Sequence, residues 1–215
     1  MYCFIMKTYK KTVLIFLSFI TISLVIWSNI DIPNEENKKS VLIDEAVIKE
    51  AKAYCEKNNF NNDLFVFIDM KIHSGKNRFY VWDFNSKKII KSCLVSHGCG
   101  NNAWSNDFSK DSPTFSNVPD SHQSSLGKYK IGERGYSNWG VHTKYLLHGM
   151  ESSNNKALQR NIVFHSWNAI ADNEVFPSGT PEGWGCPAIS NENFKFVDSL
   201  IQQSNKPTLM WIYNG

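Results

Sequence analysis

The stretch "NIVFHSW", Asn161–Trp167, followed some twenty residues later by "GWGCPAIS", Gly183–Ser190, decides how the rest of the chain is read. The first is an apolar run of strand type that closes on a histidine, His165. The second sets Cys186 between Gly185 and Pro187, just ahead of a helical pattern from Asn191 with Ser190 as candidate N-cap. Glycines at 183 and 185 let the backbone turn sharply and expose amide N–H groups of the kind a tetrahedral oxyanion requires. A free thiol is mostly protonated at neutral pH, so a working cysteine needs a base, and His165 at a strand end supplies one. A competing row of letters lies upstream. "VSHGCG", Val95–Gly100, puts His97 beside Cys99, which is the minimal kit for a thiol nucleophile.

Outward from these segments the texture is β. "LFVFIDM", "RFYVWDF", "KIIKSCLVS", "GKYKIG", "YLLHG" and "TLMWIY" are short runs rich in Val, Ile, Phe, Tyr and Trp, separated by Gly, Asn, Ser and Pro. With a single late helix over Asn191–Ser204, they predict a mainly β sandwich or barrel with a few short helices. Ser40–Lys57 carries Val47, Ala51 and Cys55 at helical spacing and ends at "NNFNN". That helix either packs on the domain or spaces it from a membrane. Asn101–Ser116 is long, polar and aperiodic, which in a compact domain points to a functional or mobile loop.

The N-terminus differs in kind. Lys7, Lys10 and Lys11 precede an uncharged run over 12–30, and Asp31, Glu35 and Glu36 follow it. As a helix the run reaches about 28 Å, near the hydrocarbon thickness of a bilayer, and the flanking charges favour a cytoplasmic residue 1–11 segment. The run ends without small residues suited to cleavage, so an uncleaved signal-anchor is expected over a removed signal peptide. The expected organisation is a cytoplasmic N-terminus over 1–11, a transmembrane anchor over 12–30, a linker and helix over 31–62, and an exported catalytic domain over 63–215.

Other classes are disfavoured. A net charge of +3, without a basic stripe interleaved with aromatics, argues against nucleic acid. Hydrophobic content of 42% fits a globular domain with a core. The five cysteines show no C-x-x-C spacing, and His97, Cys99 and His148 do not match H-E-x-x-H, so neither a metal nor a cofactor is expected.

In sum, these segments resemble the YkuD-type L,D-transpeptidases, in particular the murein L,D-transpeptidase catalytic-domain-like branch, in which tryptophan replaces a histidine of the nucleophile motif. "RFYVWDFNSKKII" resembles the opening hairpin, "LVSHGCG" and "SSLGKYKIG" a pair of family strands, and "YLLHGM" and "RNIVFHSW" the strands that lead to the catalytic histidine. The resemblance runs in order over about 63–213. It implies Cys186 as nucleophile, His165 as general base, and Ser166 as the neighbour that helps hold the imidazole. Gly185 and Trp184 then belong to the oxyanion-binding backbone. It also implies stem peptides of bacterial peptidoglycan as substrate and the cell envelope as location, with the membrane reached through the N-terminal helix. His97 and His148 become candidates for the wall of the cleft. An arginine typical of the branch just before the motif is missing from "TPEGWGC", leaving Arg160 and Arg134 as alternatives for a substrate carboxylate. Two other readings stand beside this one. Cys99 with His148 or His165 would make a thiol peptidase in the order of NlpC-like hydrolases, and the fold could persist as an inactive wall-binding domain.

Overall fold

Each apolar run becomes a strand because alternate side chains find two different layers to fill. The computed structural model describes residues 43–215, and Asp44–Gly215 form one compact unit. Strands β1 (Leu64–Asp69), β2 (Phe79–Asp83), β3 (Lys88–Cys93), β4 (Gly127–Tyr136), β5 (Thr143–Gly149), β6 (Val163–Ser166), β7 (Ala188–Ile189) and β8 (Thr208–Tyr213) join in one sheet. Its order is β3-β2-β1-β8-β4-β5-β6-β7. The β1–β8 and β6–β7 pairs are parallel and the rest antiparallel, so the C-terminal strand closes the middle of the sheet. The fold is mainly β, a nearly closed, barrel-like sheet with two helices.

One face packs Val66, Ile68, Phe79, Val81, Leu147, Phe164 and Met210 against Phe194, Val197 and Ile201 of the late helix α2 (Asn191–Ile201). Ser190 caps that helix through Asn193 N–H. On the other face Phe67 meets Trp211 edge-on. The early helix α1 (Glu45–Asn58) is fastened to the domain by Lys128 of β4, whose ammonium lies 2.7 Å from Glu50 and 3.1 Å from Glu151 and covers the Trp211 ring at 3.8 Å. Among the described residues no helix is long and apolar enough to cross a membrane. The expected anchor over 12–30 and the cytoplasmic segment over 1–11 lie outside the described residues.

Strand β7 has two residues and was not foreseen. Its parallel pairing sets His165 opposite Ala188 and Ser166 opposite Ile189, which brings the two segments quoted at the outset side by side.

Candidate active site

His165 is the penultimate residue of β6 and Cys186 leads into β7, so the parallel register delivers both to one edge of the sheet. They line the same cleft, of about 370 Å³, together with Ser96, Gly183 and four tryptophans, 104, 139, 167 and 184. Trp104 stacks on Trp167 with ring centres 5.2 Å apart, and Trp139 packs against both. Trp104 comes from the long polar loop after residue 100, which the structure thus uses as a wall of the cleft.

The imidazole is held in one tautomer. Its Nδ1 is 2.9 Å from the Ser166 carbonyl, which can only accept, so Nδ1 carries the proton and Nε2 keeps a lone pair. Burial lowers the His165 pKa, opposed by that hydrogen bond and reinforced by Lys144. Ser166 therefore orients the ring through its backbone and not through its hydroxyl. The hydroxyl faces away, as neighbouring strand positions must, and accepts from Val141 N–H at 2.9 Å.

Cys186 is half-buried, while Cys55, Cys93 and Cys99 are buried. Its sulfur accepts from Val163 N–H at 3.4 Å and its thiol donates toward the Asn161 carbonyl at 3.8 Å. Burial pushes the thiol pKa up, and Val163 N–H, Arg160 and Lys144 pull it down. Both shifts favour the uncharged forms, so the cleft holds a neutral thiol and a neutral imidazole at rest. Gly185 has φ +95°, and a Cβ there would collide with the Gln123 carbonyl, so glycine is required for the turn. Among the described residues the amides of Trp184, Gly185 and Cys186 donate to no backbone carbonyl.

The thiol also borders a second cleft of about 400 Å³, lined by Asp120, His122, Gln159, Arg160, Asn161 and Trp184. The stacked rings of Trp184 and His122, 5.1 Å apart, stand between the two clefts. Arg160 reaches this cleft with its guanidinium engaged, donating to Ser116 O at 2.9 Å, Ser121 Oγ at 3.3 Å, Ser125 Oγ and Gln123 O. Its work is to fasten the loop over 116–125. Arg134 lies elsewhere, paired with Asp198 at 2.9 Å.

Two sequence candidates do not line either cleft. His97 is fully buried beneath the site, turned toward Arg78 and Ser109. His148 sits on β5 and its Nε2 meets Glu133 Oε2 at 2.8 Å; as a neighbour of the inward-facing Leu147, it points to the opposite side. Cys99 is 4% exposed and its thiol pKa is raised by burial, the wrong setting for a nucleophile. The aromatic cluster was missed in the sequence, because its members are separated by up to eighty residues and share no local motif.

Comparison with known proteins identifies the family. The family model YkuD_2, an L,D-transpeptidase catalytic domain, matches residues 35–213. No curated protein matches. Similar solved structures include the helical cell shape determining protein Pgp2 from Campylobacter jejuni, 13% identical at TM-score 0.42, covering 71% of this chain and 49% of that one. Bd1075 from Bdellovibrio bacteriovorus is 15% identical at TM-score 0.41, covering 73% and 49%. An L,D-transpeptidase from Xylanimonas cellulosilytica is 11% identical at TM-score 0.35, covering 75% and 68%. The chain spans about half the length of the first two. With nearly the whole described region matched by the family model, the chain belongs to the YkuD-type L,D-transpeptidase catalytic-domain family.

Proposed function

We propose that the protein is a cell-wall L,D-transpeptidase that works through a thioester on Cys186. The observation that carries the reading is one cleft shared by the sole half-buried cysteine among the described residues and a histidine whose Nε2 is left unprotonated. Nε2 of His165 takes the thiol proton, and the thiolate adds to the carbonyl carbon of the L-centre that precedes a terminal D-residue in a peptidoglycan stem peptide. The oxyanion is met by backbone amides at Trp184 and Gly185, oriented before the reaction begins. The C–N bond breaks, His165 returns its proton to the departing amine, and an acyl-thioester remains. An amine of a second stem adds to that thioester, gives its proton to His165, and expels the thiolate to form the cross-link. Water in place of the amine gives carboxypeptidase trimming. Two clefts opening on one sulfur support a reaction with two substrates, since the second can approach without displacing the first. No step calls for a cofactor.

The sequence supports export with residues 12–30 as the membrane anchor, which places the reaction at the bacterial envelope. Incubating the protein with purified muropeptides and reading the products by mass spectrometry tests the reading. Loss of the terminal D-residue, with or without dimer formation, is the expected result. Muropeptide binding without any product would favour an inactive wall-binding domain instead.

A further inference from the structure

Beneath the candidate site a chain of four side chains runs in one direction from a buried cation to a buried anion. Arg78, immediately before β2, is fully buried; its Nε and Nη2 donate to the Val95 carbonyl at 3.2 and 2.9 Å and its Nη1 to the Ile72 carbonyl at 3.2 Å. Nη2 also lies 2.7 Å from His97 Nδ1. A guanidinium can only donate, so Nδ1 accepts and His97 carries its proton on Nε2. That nitrogen is 2.9 Å from Ser109 Oγ, which in turn donates to Glu182 Oε1 at 2.8 Å. Ser109 N–H reaches the same oxygen at 2.6 Å. Arg78, His97 and Glu182 are fully buried, and Ser109, half-buried, is the link nearest solvent. Removing one link leaves polar groups uncompensated in the interior, where that is costly.

The backbone around Glu182 explains what the chain fastens. Glu182 N–H donates to the Asn106 carbonyl at 2.7 Å, and Ser105 N–H to the Glu182 carbonyl at 2.9 Å. One residue on, Gly183 N–H donates to the His97 carbonyl at 2.8 Å and its own carbonyl accepts from Cys99 N–H at 2.8 Å. Glu182 thus stands where three pieces meet: the loop that bears Trp104, the segment 97–99, and the turn that ends in Cys186.

We infer that Glu182 is a positioning residue for the candidate nucleophile, locking the Trp104 loop and the Gly183–Cys186 turn through Ser109 and His97 to the buried Arg78. The aromatic wall and the thiol then keep a fixed separation. This inference rests on the reading of Cys186 as nucleophile, so its test includes a measurement that needs no turnover.

Three full-length variants separate the possibilities. Ser109→Ala cuts the hydroxyl link, Ser109→Thr preserves it, and Glu182→Gln keeps an acceptor for Ser109 but removes the negative charge. Each is assayed below its melting temperature. Ser109→Ala is expected to lower kcat about tenfold with KM within about threefold, as a small misplacement of reacting groups does. Ser109→Thr is expected to restore kcat, and Glu182→Gln to resemble Ser109→Ala. The pH profile of Cys186 alkylation by iodoacetamide stays unchanged in Ser109→Ala, because the groups that set the thiol's acidity are untouched. Hydrogen–deuterium exchange is expected to quicken in both 101–112 and 183–187 in Ser109→Ala but not in Ser109→Thr. Quickening confined to 101–112, or full kcat in Ser109→Ala, overturns the inference. If the wild type forms no product from muropeptides, the proposed function fails, and the exchange measurement still decides the inference.

Discussion

"VSHGCG" and "GWGCPA" each carry a Gly-Cys pair and lie against each other in the fold, yet their cysteines meet opposite surroundings. In the first, Ser96 donates its hydroxyl to the Cys186 carbonyl at 3.2 Å and accepts from Ala188 N–H at 3.0 Å. His97 and Cys99 bond to Gly183 through their backbones. The segment is an extended template joined by an isolated bridge, Gly98 to Gly183, and its cysteine and histidine are sealed in the interior. In the second, a left-handed glycine turns the chain outward and leaves Cys186 at the meeting of two clefts. Adjacency of a cysteine and a histidine in the sequence therefore does not bring access or an available lone pair, and the proposed nucleophile is the cysteine that has both.

The sharpest way to break this contrast is to exchange the roles by mutation. Cys186→Ala is expected to abolish product formation from muropeptides, while Cys99→Ala leaves the wild-type rate, both read by chromatography of the products. Retained turnover in Cys186→Ala would reverse the assignment. Next in size, His165→Gln should reduce turnover by roughly 10²- to 10⁴-fold, the range for loss of a general base. His148→Gln, which alters a residue outside both clefts, should leave it unchanged.

A smaller effect concerns acidity. Because burial holds the Cys186 thiol up, its alkylation rate should still be rising above about pH 8.5, where an ordinary thiol is half ionised. Arg160→Met removes a cation that favours the thiolate, so the profile should move further alkaline. An unshifted profile would remove Arg160 from the electrostatics of the site.

The last effect is on stability rather than turnover, and it marks the template segment. Burial, with Arg78 adding to it, holds the His97 pKa down at about 3. An unfolded histidine titrates near 6.5, so the unfolded chain binds the extra proton first as pH falls. Stability is therefore fully present above about pH 6.5 and is lost toward pH 3, at up to roughly 1.4 kcal/mol per pH unit from this group. Denaturant midpoints for wild type should fall over that window, and His97→Gln should flatten the slope. Equal slopes would show that His97 is not buried in its neutral form.

Much of this was legible because it is local. Seven strand-like runs became seven strands, and Ser190 caps the helix that its position announced. Val, Ile and aromatic alternation and a polar N-cap act over a few residues, which a single sequence displays. What was illegible depends on partners far along the chain. The two residues of β7 gain strand geometry from pairing with β6, over twenty positions away. Ser166 holds the imidazole as expected, but which of its atoms does so was not legible: the strand turns its hydroxyl to the other face and leaves the carbonyl. His97 and His148 were expected at the cleft; the first turned to a buried arginine and the second to a surface glutamate, neither of which has a signature in the letters beside them.

The central claim, that Cys186 and not Cys99 forms the covalent intermediate, is tested most directly by peptide mapping of the protein quenched in acid during turnover of muropeptides. The account predicts an acyl adduct, the stem peptide without its terminal D-residue, on the peptide that contains Cys186. An adduct on the Cys99 peptide, or product formed by Cys186→Ala, would contradict it.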